Sequence, residues 1–170
     1  MNPSSTIDQV LADFKKQLGT DYQAYRNHAQ RVYLIHQHLS GENPSEEVVT
    51  AAAFHDLGIW TNETWDYLDP SNALARRFCQ EKELDQKLVA SLILNHHKIS
   101  SHKPNIEVEN FRKADLIDFT RHAVRFGIGK KWLKSLMDTY PWHNFHSVLA
   151  AKFFKYAWKN PLRPFPMMKW

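Results

Sequence analysis

Almost every stretch of this chain carries apolar residues at the three- and four-residue steps of an α-helix, and none sustains the alternation of a half-buried strand. That property restricts the fold to helices packed on helices. Ile7, Val10, Leu11, Phe14 and Leu18 form one stripe, stopped by Gly19; Tyr25, His28, Val32, Ile35 and Leu39 form a second, stopped by Gly41. The run "NPSEEVV" predicts a third helix capped by Asn43, with Pro44 in its first turn, passing through Ala52 to His55 and Asp56 and halting at Gly58. Residues 59–69, "IWTNETWDYLD", are rich in aromatics and poor in period and read as a loop. Asp69 and Pro70 restart a helix through Leu74 and Phe78, and Leu88, Val89, Leu92 and Ile93 carry another into "NHHK". Val108, Phe111, Asp115, Asp118 and His122 share one face of a helix expected to last until Gly127 and Gly129. Two further helices, around Trp132 to Tyr140 and Phe145 to Trp158, precede the tail "NPLRPFPMMKW". Met167, Met168 and Trp170 suggest that this tail docks as an extended segment. The expected architecture is all-α, a compact helical bundle in a single domain over residues 1–170. Its core spans about residues 22–122, and its C-terminal helices and docked tail span residues 130–170.

The chain has 170 residues, 43% hydrophobic and 24% charged, the composition of a folded domain rather than a disordered segment. Its single cysteine, Cys79, allows no internal disulfide and suggests a reducing, cytoplasmic location. No apolar run approaches the ~20 residues of a membrane span, and "MNPSSTIDQV" has neither the basic start nor the apolar core of a signal peptide. The net charge of +4 favours a small anionic substrate, nucleotides included, but Lys and Arg are scattered and form no nucleic-acid arm. A homo-oligomer is compatible with all of this.

The polar residues that fall on apolar faces carry the functional information. His28 lies on the second stripe, His55 and Asp56 end the third helix in "AAAFHDLG", His96 and His97 end the fifth, and Asp115 sits in the sixth. Burying a carboxylate or an imidazole without partners costs several kcal/mol, so these groups need either capped helix ends or a cation. Imidazoles and carboxylates drawn from several helices suit a divalent metal, provided the helices converge.

The order His28, then "HD" at 55 and 56, then Asp115 inside "FRKADLID", resembles the HD-domain superfamily. "YRNHAQRVY" is similar to the helix carrying that family's first metal-binding histidine, and "AAAFHDLG" to its signature helix. The resemblance implies one divalent ion held by His28, His55, Asp56 and Asp115, with Mn, Fe, Co, Ni, Zn and Mg all admissible. It also implies hydrolysis of nucleotides or other phosphate esters. Two departures matter. Ile59 stands where many members have a lysine, and "LDPSNALA" offers Asp69 and Ser71 where two-metal members add a histidine. His96 and His97 match a further ligand position of those members and are expected on the substrate side.

On this reading Asp56 or Asp118 accepts a proton from water while His96 or His97 donates one to the leaving oxygen. Lys98, Arg26, Arg31, Arg112 and Lys113 are near the ligands in sequence and are expected to hold phosphate, although each is equally readable as a solvated charge. Trp60, Trp65 and Tyr67 either stack on a substrate as a lid or form a small apolar cluster under the loop. Asp118 and His122 are expected to support the site from beyond Asp115. The rival readings are a hydratase, lyase or di-iron oxygenase of the same fold, and a binding module without catalysis.

Overall fold

The computed structural model describes residues 3–163 and 165–167, so the expectation for Met168 and Trp170 lies outside the described residues. Among those residues there is no strand, and no helix is long and apolar enough to cross a membrane. The helices are α1 (Pro3–Ala12), α2 (Lys15–Leu18), α3 (Tyr22–Ser40), α4 (Glu46–Phe54), α5 (Gly58–Thr61) and α6 (Leu68–Lys82). They continue with α7 (Gln86–Asn95), α8 (Ile106–Phe119), α9 (Lys130–Thr139) and α10 (Phe145–Lys159). The 19-residue α3 packs along α8, α4 lies against α1, α3 and α7, and α6 covers α7. The apolar stripes meet in one core that takes in Ile7, Leu11, Tyr25, Val32, Ile35, Ala52, Leu92, Phe111 and Ile117.

Three boundaries differ from expectation, each for a local reason. The cap of α4 is Ser45, whose Oγ accepts from the Val48 amide, while Asn43 accepts from the Gln37 side chain. Ser45 lies closer to the apolar run, and its hydroxyl reaches a first-turn amide that nothing in the helix satisfies.

The stretch 59–69 is not one loop. Residues 58–61 make a further helical turn, and α6 begins at Leu68. Gly58 allows this compaction, because a Cβ there would lie 2.6 Å from the Tyr67 carbonyl oxygen and 3.0 Å from Ser71 Oγ. Its amide donates to that hydroxyl at 2.9 Å, so the turn after Asp56 is clamped to the start of α6.

The last difference is that α8 stops at Phe119. Arg121 and His122 have φ of 51° and 66°, and the His122 amide closes back on the Ile117 carbonyl at 2.9 Å. This is a left-handed helix stop of the kind that satisfies terminal carbonyls. His122 therefore leaves the face it was expected to share with Asp115, and rests against Trp142.

Candidate metal centre

The bundle brings four side chains from α3, the end of α4 and α8 to one point. His28, His55, Asp56 and Asp115 are buried, and each offers an atom within 4.8 Å of the others. His28 Nε2 is 2.9 Å from His55 Nε2. Asp56 Oδ2 is 3.6 Å from both nitrogens, and Asp115 Oδ1 is 3.5 Å from His28 and 3.6 Å from His55. Neighbours hold these positions: His28 stacks on Phe145 at 4.1 Å, and the Tyr25 hydroxyl donates to the Ala53 carbonyl, tying α3 to the end of α4.

The hydrogen bonds behind the rings settle which nitrogens carry protons. A carbonyl oxygen can only accept, so His55 Nδ1 donates to Ala52 at 3.0 Å and His96 Nδ1 donates to Ile93 at 2.6 Å. His28 Nδ1 faces Asp118 Oδ2 at 2.7 Å. Arg31, fully buried, grips Asp118 through two contacts of 2.6 and 2.8 Å. Although burial opposes ionisation, Arg31 and His28 hold the Asp118 carboxyl below the usual carboxylate range, so His28 Nδ1 is also a donor. In their neutral forms all three rings therefore present a bare Nε2 lone pair to the same space.

At 2.9 Å the two facing Nε2 atoms either share a proton or share a cation, and two carboxylates flank them. Burial works against protonation, yet Asp118 and Asp56 raise His28 to about 9, and Asp56 and Asp115 stay ionised beside the histidines. Asp56 Oδ1 and His96 Nε2, 3.3 Å apart, have no hydrogen-bond partner. Neutral nitrogens and two anionic oxygens are the donor set of a divalent ion, and the residues present fit one.

Asp56 also forms a second group with His96 and His97. His97, 19% exposed in its side chain, pairs through Nε2 with the Tyr67 hydroxyl, and its Nδ1 is 3.9 Å from Asp115. Burial, with His96 adding to it, lowers His97 to about 4, so it stays neutral near pH 7.

A cavity of about 530 Å³ opens over the cluster, and His28, Asp56, Tyr67, His97 and Asp115 reach it. Trp65 also lines it, but Trp60 does not: it packs 4.9 Å from Tyr25, and its Nε1 donates to Asp21. The arginines expected to hold phosphate are engaged elsewhere. Arg26 is paired with Asp8 at 2.7 Å, Arg31 with Asp118, and Arg112 with Glu109 through two contacts of 2.9 Å. Lys98 and Lys113 do not line the cavity; Lys113 sits 3.5 Å from Glu109.

Sequence reasoning missed the far wall, built by Phe145, Leu149 and Phe153 of α10 with Phe165 and Met167 of the tail. The spacing of 145, 149 and 153 marks an apolar helix face, but nothing in it names what that face covers. The Arg31–Asp118 pair was missed as well.

In comparison with known families, the model of the HD domain matches residues 25–120. No curated protein and no solved structure matches the chain.

Proposed function

Because the chain belongs to the HD-domain family, whose members are commonly metal-dependent hydrolases, we propose that it is a hydrolase of small phosphate esters that uses one divalent ion. His28, His55, Asp56 and Asp115 would hold that ion. The observation that carries this reading is the convergence of two facing histidine Nε2 atoms and two carboxylates, all buried and within 4.8 Å of one another. When bound, such an ion lowers the pKa of a water toward neutrality and stabilises charge developing on a phosphoryl oxygen.

The protein's own groups supply the rest. The chain from Arg31 through Asp118 to His28 Nδ1 fixes the ring and its tautomer, the arrangement that typically stands behind a ligating histidine. Asp56, which lines the cavity, accepts the proton of the attacking water. His97 is neutral near pH 7 and serves as a hydrogen-bonding partner of Tyr67 rather than as an acid. His96, 3.3 Å from Asp56 Oδ1 and set behind the cavity lining, orients that carboxylate rather than meeting the leaving oxygen.

A second reading, addition of water to a small uncharged molecule, is favoured by one observation: no Lys or Arg lines the cavity among the described residues. The test is elemental analysis of the purified protein followed by assay of the metal-replete sample on phosphate monoesters and diesters. Release of phosphate that Asp56→Ala abolishes supports the hydrolase. A metal-replete protein inert on every ester, yet active in hydrating a neutral nitrile or similar unsaturated compound, supports the second reading.

A further inference from the structure

The cavity walls differ sharply in chemistry from its floor. Trp65, Phe145, Leu149, Phe153, Phe165 and Met167 make the wall surface, with Phe153 and Phe165 stacked at 4.9 Å. The tail that delivers Phe165 is clipped to the loop before α6 by Arg163 and Asp66, 3.8 Å apart. Every polar lining group except two belongs to the floor cluster or to Tyr67, which is joined to it. His146 has its Nε2 occupied by the Asp118 carbonyl at 3.1 Å, and the Trp65 Nε1 is a single buried donor without a partner.

A nucleotide placed here would bury the nitrogens and oxygens of its base and sugar against these walls without partners, and each such group left unsatisfied carries a desolvation cost. Any phosphate beyond the one at the floor would meet no lysine or arginine among the described lining residues. Ligand sites reach specificity through a few placed polar groups, and here every charged one lies at one end.

We infer that the substrate is a small molecule with a single polar, reacting end at the His/Asp floor and an otherwise alkyl or aryl body against α10 and the tail, rather than a nucleotide. This rests on the assignment of the floor as the reacting end. The volume of about 530 Å³ suits one such molecule of drug-like size. Phe154 and Ala150, exposed at the rim, set the length that fits.

The test is a binding series on the full chain loaded with manganese, using straight-chain alkylphosphonates from methyl to hexyl and adenosine 5′-monophosphate. The matching n-alkanols are titrated into the metal-free protein as probes that need no ion. Affinity is expected to rise roughly fourfold per added methylene until the cavity fills, in both series, as burial of successive CH₂ groups requires. Adenosine monophosphate should bind no tighter than methylphosphonate. Phe154→Lys and Ala150→Arg, substitutions at exposed rim positions, should flatten both series at unchanged metal content. A flat alkanol series, or a nucleotide binding more tightly than hexylphosphonate, overturns the inference. If the chain-length dependence holds while no alkyl or aryl phosphate is hydrolysed, the hydrolase reading fails and the substrate class stands.

Discussion

Helix α3 carries two buried histidines little more than two turns apart, and they behave in opposite ways. His28 meets three carboxylates and is raised to about 9 despite its burial, whereas burial lowers His36 to about 4 with only the Glu107 carbonyl, at 3.3 Å, in partial compensation. Both are about 1% exposed, so burial alone does not separate them. What separates them is the chain of charge behind His28, from Arg31 through Asp118, with Asp56 and Asp115 in front. The region around His28 offers a cation three carboxylates; the region around His36 offers it a single carbonyl.

The comparison breaks most easily at the ligands. His28→Ala is expected to abolish metal retention and activity, while His36→Leu leaves metal content at the wild-type level; elemental analysis of both purified variants checks this. Loss of metal from the His36 variant as well would show that the two ends of α3 are not independent.

Next in size is Asp118→Asn. Residues that orient a ligating histidine typically change affinity or activity ~10- to 100-fold when removed. Here the change also removes the counter-charge of the buried Arg31, which keeps only the Tyr140 and Pro141 carbonyls, and this should lower stability by about 3 kcal/mol in a denaturant titration. Adding Arg31→Met should recover much of the stability and none of the metal affinity. Recovery of both would reduce Asp118 to a partner of Arg31.

The third prediction concerns pH. His36 stays neutral in the folded chain down to about 4, while an unfolded histidine takes up its proton near 6.5. The unfolded state therefore binds more protons between those values, and stability falls as pH drops from about 6.5 to about 4. The loss is on the order of 3 kcal/mol from this group. His28 has the opposite sign: in metal-free protein its contribution is complete below about 6.5 and is lost as pH rises through about 9. Stability curves of wild type minus His36→Leu should show the acid-side loss, and equal slopes for the two proteins would remove it.

The smallest effect is expected at the surface. Arg26→Ala, which breaks the partly exposed pair with Asp8 and a long contact to Asn27 Oδ1, should cost no more than about 1 kcal/mol. It should leave metal content and activity unchanged, in contrast to any change at Arg31, five residues along the same helix.

Much of this was legible in the sequence, and the rest was hidden for physical reasons. The stripes of α3, α4 and α8 were readable because a histidine or aspartate on an apolar face must point inward with its neighbours, which is how His28, His55, Asp56 and Asp115 were singled out. The partners of Arg26, Arg31 and Arg112 were not readable, since nearness along the chain does not say which face a guanidinium takes or that Asp8, Asp118 and Glu109 will meet it. The extent of the loop after Gly58 depended on a close approach between Gly58 and Tyr67, and the wall of α10 on contacts spanning some eighty residues or more of sequence. Neither leaves a local signature.

The central claim is that four side chains converge to hold one divalent ion, and metal stoichiometry of the purified wild-type protein tests it most directly. The expected result is close to one divalent ion per chain, removed by a chelator with a fall in melting temperature and restored on adding metal back. A folded, metal-free protein whose melting temperature is indifferent to added Mn, Fe, Co, Ni, Zn and Mg would contradict it.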